Sequence, residues 1–185
     1  MSRVLFHTAV TLDGFLADPD DSLDWLFSVP GSVEAEADLT PFLDGVGAVV
    51  MGSTTYDWLW RHELRDAPER WPEFYAERPV FVFTGRELPR VPDADTLRFV
   101  SGEVSGLWPE IDAAAGDRDV WIVGGGDLVG QFADAGHLDQ VRVSVAPVTL
   151  GAGRPLLPRR FGSERLTLES VRQSGQFAEL TYSFR

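Results

Sequence analysis

Two stretches of this 185-residue chain pass from an apolar, strand-like segment through glycine into a helix-like segment. One is Ala48-Val49-Val50-Met51-Gly52-Ser53-Thr54-Thr55-Tyr56. The other is Val120-Trp121-Ile122-Val123-Gly124-Gly125-Gly126-Asp127-Leu128-Val129. Glycine has no Cβ, so its backbone can approach a ligand closely and turn sharply. A helix that starts at such a corner presents unpaired N–H groups and the positive end of its dipole, which together attract phosphate. Two corners of this kind in one small chain predict a long, doubly anionic ligand such as a dinucleotide. Plainer readings stand beside that one. Gly124 to Gly126 could be only a tight turn, and Ser53, Thr54 and Thr55 could be only helix caps.

Composition narrows the chemistry. The net charge of −13 argues against a nucleic-acid partner, whose binding rests on clustered Lys and Arg. It also means that an anionic ligand must be gripped locally, against an adverse overall field. The chain has no cysteine, which excludes disulfides, iron–sulfur clusters and thiol nucleophiles. Its three histidines, His7, His62 and His137, have no metal-ligand spacing, so no metal site is expected. No signal-peptide-like or membrane-spanning apolar run is present, and a soluble, cytoplasmic protein with no membrane partner is expected.

The elements that must position the two corners follow from local pattern. Strands are predicted near Arg3 to Val10, Gly47 to Met51, Pro79 to Thr84, Leu97 to Val100, Val120 to Val123 and Gln140 to Val148. Helices are predicted over Ser32 to Leu43, Thr54 to Trp60, Trp108 to Ala115 and Leu128 to Ala135, with His62 to Pro72 as loop. Two alternating segments, Arg165 to Arg172 and Phe177 to Phe184, meet at Ser174-Gly175 as a hairpin. This order of β–α repeats followed by consecutive strands predicts a single α/β domain over residues 1–185. Its sheet is mainly parallel with an antiparallel C-terminal edge.

Four blocks, in order, resemble the dihydrofolate reductase-like superfamily. They are the first strand with Thr11-Leu12-Asp13-Gly14, the junction Met51-Gly52-Ser53-Thr54-Thr55-Tyr56, the junction Val123-Gly124-Gly125-Gly126, and the segment Val141 to Pro158. The last is similar to the C-terminal reductase domain of the bifunctional riboflavin-biosynthesis deaminase-reductase. The resemblance covers nearly the whole chain and implies the three-layer α-β-α fold of that superfamily.

By the same resemblance, the activity would be hydride transfer from NADPH, with NADH as the alternative, to a small pterin- or aminopyrimidine-like heterocycle. Gly52, Ser53, Thr54 and Thr55 would form one lip of the cofactor site, and Val123, Gly124, Gly125, Gly126, Asp127 and Leu128 the other, with Gly124–Gly125 as a candidate cis bond. Thr11 and Gly14 would also meet cofactor. Thr84 and Arg86 would lie at the adenosine end, Arg86 as the cation for a 2′-phosphate. Asp13, Glu36 and Asp38 are the candidate acids for protonating the acceptor nitrogen. Asp13 could instead cap its own turn, and Glu36 and Asp38 could be solvated helix charges. Trp25 could wall the substrate pocket or belong to the core. Related domains pair, and Val141 to Val145 with Leu150 to Pro158 is the candidate homodimer surface. Two other readings stay open: a dinucleotide-binding module without turnover, and an interaction protein that keeps the fold alone.

Overall fold

The computed structural model describes residues 2–32 and 39–185. Its eight-stranded sheet is built around β1 (Val4–Thr11), which pairs in parallel with β6 (Asp119–Gly124) on one side and β7 (Gln140–Ala146) on the other. Beyond β6 lie β3 (Val46–Gly52), β4 (Val80–Phe83) and β5 (Leu97–Val100), all parallel. Beyond β7 lie β10 (Phe177–Phe184) and then β9 (Leu166–Ser174), which close the sheet as the antiparallel hairpin. A small second ladder joins β2 (Phe15–Ala17) to β8 (Arg154–Pro155).

Helices pack on both faces, which gives the three layers. On one face, α5 (Val104–Ala115) and α6 (Gly126–Asp134) cover Val4, Phe6, Val50, Val120 and Ile122. On the other, α3 (Ser53–Leu59) and α4 (Trp71–Tyr75) cover Val46, Val49, Met51, Val80 and Val82. Successive residues of β3 therefore enter opposite cores, which is why Gly47 to Met51 reads as an unbroken apolar run. Two short helices complete the described set, α1 (Asp24–Phe27) and α2 (Leu39–Asp44). Among the described residues, no helix is long and apolar enough to cross a membrane.

Several elements differ from their sequence reading. The helix expected from Trp108 begins at Val104, so Pro109 lies inside it rather than in its first turn. The buried stripe Val104, Trp108, Ile111 and Ala115 holds the helix together despite the missing N–H. The expected loop from His62 to Pro72 is largely helical. A π-helical turn, Trp60–Leu64, and a 3-10 turn, Pro68–Arg70, lead into α4, whose Trp71 and Tyr75 are buried one turn apart. Arg70 braces this segment by pairing with Glu63 at 2.6 Å and Glu73 at 2.9 Å. Within the strand of the candidate homodimer surface, the Val141, Val143 and Val145 side chains belong to the core, with Val141 and Val143 buried. The large apolar side chains left exposed on the sheet are Leu168 and Val171 of β9.

Candidate functional site

Because β1, β3, β4, β5 and β6 run in parallel, their carboxyl ends open at one edge, where ligands of α/β sheets bind. Both glycine corners lie there. Met51 stands opposite Gly124 in the β3–β6 ladder. Gly52 and Gly125 are the N-cap residues of α3 and α6, both in extended backbone, and neither helix start has a side-chain cap. Their first N–H groups are left for solvent or ligand. The Gly124–Gly125 peptide is cis, as the resemblance implies. A Cβ on Gly52 would meet Gly125 N at 3.6 Å and Gly124 O at 3.8 Å, so the two corners adjoin. On the far side of Gly124, a Cβ would stand 3.0 Å from Thr55 Oγ1.

Two clefts meet at this seam. The smaller, of about 420 Å³, runs from Gly52 and Ser53 past Thr84 and Gly85 to Ser101 and Gly102. The larger, of about 1520 Å³, spreads over the β1–β7 side of the sheet, with His7 and Arg142 on its floor. Thr54, Thr55, Gly125 and Asp127 line both clefts. An elongated ligand could therefore lie across the seam with one end in each cleft.

The loop after β1 is fixed by one carboxylate. Asp13 accepts the Thr11 hydroxyl at 2.6 Å, the Leu150 N–H at 3.0 Å and the Gly151 N–H at 2.7 Å. The Thr11 hydroxyl bond, followed by the backbone donors, holds the Asp13 carboxyl below its ordinary range. It is an anion that ties two loops together and a poor proton donor at neutral pH. Thr11 is buried and its hydroxyl also accepts the Phe15 N–H at 3.0 Å, so its polar atom is committed within the turn. Gly14 closes the turn at φ +87°, with its N–H on Thr11 O at 2.9 Å.

A family model for the RibD C-terminal domain matches residues 2–178. The chain belongs to that family. An uncharacterized Bacillus subtilis protein, YwjB, is 28% identical over 180 residues, which cover 97% of each chain. Among solved structures, a protein from Shewanella sp. PV-4 proposed to act in riboflavin biosynthesis superposes with a TM-score of 0.77 at 27% identity. That match covers 100% of this chain and 99% of the other. Dihydrofolate reductase from Enterococcus faecalis, solved with NADP(H), superposes with a TM-score of 0.62 at 10% identity, covering 99% of this chain and 96% of the other. The fold is that of dihydrofolate reductase.

In this RibD C-terminal domain the residues expected at the site divide into groups. Gly52, Ser53, Thr54, Thr55, Thr84, Gly125, Asp127 and Leu128 converge on the smaller cleft, and Val123, Gly124 and Gly126 reach the larger one. Gly126 has a further duty. A Cβ there would lie 2.4 Å from the carbonyl oxygens of both Pro155 and Leu156, so its bareness admits the β8 segment. Asp127 accepts the Gln131 amide at 2.9 Å and pairs with Arg159 at 2.9 Å. The Gln131 bond, with help from Arg159, holds its carboxyl below the ordinary range.

Arg86 leans on Asp57, with 3.6 Å between Nη2 and Oδ2, and is exposed. Its neighbours Thr84 and Gly85, rather than its own side chain, line the smaller cleft. Trp25 is core and not pocket wall. It is buried with Val29, Ala146 and Phe177, and the cleft-lining residues of its segment are Leu23, Leu26 and Phe27. Glu36 and Asp38 lie outside the described residues.

Sequence reasoning missed Ser101, Gly102 and Gln131 at the smaller cleft, and Phe27, Trp58 and Arg142 at the larger. Ser101-Gly102 carried a usable signal, a turn dipeptide at the carboxyl end of a strand. Arg142 carried none, since its neighbour is set by pairing. It stands beside His7 in the β1–β7 register. His7 is mostly buried, with Nδ1 unpartnered and its ring edge-on to Phe42 at 4.7 Å. Burial first, then Arg142, lowers its pKa to about 4, so it is neutral at pH 7.

Proposed function

We propose that this chain is an NADPH-dependent reductase of a small heterocycle of pterin or aminopyrimidine type. The observation that carries the reading is the adjacency of Gly52 to Gly125 at the seam of two clefts. A dinucleotide fits such a seam because its diphosphate needs close backbone approach and N–H donors, while its two rings need separate cavities. Dihydrofolate reductase, which shares this fold, was solved with NADP(H), in keeping with a nicotinamide cofactor.

In this reading Gly52 and Gly125 admit the diphosphate and the first N–H groups of α3 and α6 hold it. Thr54 and Thr55 lie between the diphosphate and the substrate. The smaller cleft, from Thr84 to Gly102, takes the adenosine end, with Arg86, next to Gly85 in the chain, as the candidate cation for a 2′-phosphate. The larger cleft takes the nicotinamide and the substrate and excludes water from them. When bound, the cofactor supplies the hydride. The protein supplies position and a proton donor, for which Glu36 and Asp38 are the candidates; Asp13 serves as a loop tie.

One observation favours a second reading, dinucleotide binding without turnover. Among the described residues, each carboxylate lining the larger cleft already has a partner. Asp21 pairs with Arg154, Glu63 with Arg70, Asp127 with Arg159 and Glu179 with Arg172, while Glu169 accepts from Gln140.

Titration of the folded protein with NADPH and with NADH, followed by tryptophan fluorescence, tests the shared part. Saturation by NADPH at micromolar concentration is expected, and no response to either cofactor would end both readings. NADPH oxidation with a panel of dihydropterins and aminopyrimidines separates the two. Loss of that oxidation in Glu36→Gln or Asp38→Asn, with cofactor binding retained, identifies the donor.

A further inference from the structure

The mouth of the larger cleft carries two aromatic rings set nearly parallel. Phe27, at the end of α1, and Trp58, on α3, have 19° between their planes and 6.5 Å between ring centroids. His62 braces the indole, stacked on Trp58 at 4.8 Å and 22°. Phe27 and Trp58 both line the cleft. Phe27 is 61% exposed, the only aromatic ring among the large exposed apolar side chains of the described residues. One exposed apolar side chain is ordinary. A near-parallel pair at a cleft mouth is a shape that a flat ring fits.

Carbon atoms in contact stand about 3.5 Å apart, so a planar ring held between two others needs about 7 Å. The 6.5 Å between centroids includes any sideways offset of the two stacked rings, so a third ring enters only when one of them turns aside. Phe27 is exposed at the end of a four-residue helix, so rotation of its side chain is the movement that opens the space. The clamp is also well placed along the chain. Thr54 and Thr55, which line both clefts, precede Trp58 by four and three residues on α3 and so share its helix face. A ring between Phe27 and Trp58 would therefore lie about one helical turn from the seam.

We propose that Phe27 and Trp58 form a clamp that takes the planar heteroaromatic ring of the substrate between them. The proposal rests on the reductase reading and deepens it, because it names a flat, electron-poor ring as the selected feature. Such rings favour stacking on the electron-rich faces of Phe and Trp. A saturated or bulky substrate would meet the two rings edge-on or not enter.

The test is calorimetric titration with pterin, lumazine and 2,4-diaminopyrimidine, each with and without saturating NADP⁺. Wild type is expected to bind at least one of the three. Phe27→Ala, a change at an exposed site, should weaken that binding about tenfold. Phe27→Tyr should stay within about threefold of wild type, and NADP⁺ affinity should be unchanged in both. Trp58→Leu, confirmed folded by circular dichroism, should repeat the loss from the other side. The clamp is overturned if Phe27→Ala binds the ring as wild type does, or if none of the three ligands binds wild type under either condition. Failure of NADP⁺ to bind wild type would overturn the reductase reading instead, and the cofactor-free titrations still judge the clamp.

Discussion

Gly52 and Gly125 face one another across the β3–β6 seam so closely that a Cβ on Gly52 would stand 3.6 Å from the Gly125 nitrogen. That is ordinary contact distance, and Gly52 has φ −82° and ψ 163°, a conformation open to any residue. Gly52→Ala should therefore fold with little change in melting temperature. Its methyl group would occupy the gap between the corners, where a diphosphate must pass. NADPH affinity should fall at least tenfold, about 1.4 kcal/mol, measured by fluorescence titration beside a thermal melt. Unchanged affinity would remove the seam from the cofactor site.

Gly126 should behave in the opposite way. A Cβ there would drive into the carbonyl oxygens of Pro155 and Leu156 at 2.4 Å, and backbone cannot yield as a side-chain tip does. Gly126→Ala should cost about 1–3 kcal/mol or more of stability, seen as a melting temperature lower by several degrees. Cofactor affinity of the folded fraction should change less than in Gly52→Ala. The reverse order of effects would place the ligand at Gly126 rather than at Gly52.

These two glycines show where sequence reading succeeds and stops. An apolar run ending in glycine is a local signal, so both corners, the strands that carry them and the C-terminal hairpin were legible. What each glycine is bare for was not, because the Pro155 and Leu156 carbonyls arrive from a distant segment. Asp13 is a similar case, since Leu150, whose N–H it accepts, lies 137 residues further on. Trp25 and Phe27 lie two residues apart in one short helix, one in the core and one at the cleft mouth. Four residues are too few for periodicity to show which face is buried. The stripe Val141, Val143 and Val145 was legible as a strand, but alternation alone does not say whether its apolar face meets a helix or a second chain.

Asp13→Asn tests the loop tie against the acid. Its carboxylate accepts from Leu150 and Gly151, and an amide in its place has one acceptor oxygen where the carboxylate has two. Hydrogen exchange at the Leu150 and Gly151 amides should quicken, and KM should rise as the loop loosens. The pH profile of kcat should keep its shape. Loss of the fall in kcat with rising pH would make Asp13 the proton donor.

His7 gives the fold an acid sensitivity that can be removed. In the folded chain it stays neutral down to about pH 4, held there by burial and by Arg142, whereas the ordinary histidine value is 6.5. Between those two values the unfolded chain takes up a proton that the folded chain refuses. Stability from this group is therefore complete above about pH 6.5 and falls as the pH drops towards 4. The shift corresponds to roughly 3 kcal/mol at most. Glu179, which draws the pKa upward, offsets only part of the lowering. Carboxylates held below their ordinary range, such as Asp13 and Asp127, lose their contribution at lower pH, below about 3.8, so they leave this window largely clear. His7→Leu keeps an apolar side chain against Phe42 and removes the titrating ring. Denaturant unfolding at pH 7 and pH 4.5 should then show a smaller drop in stability for His7→Leu than for wild type. An equal drop in both would mean that His7 takes up its proton in the folded chain as readily as in the unfolded one.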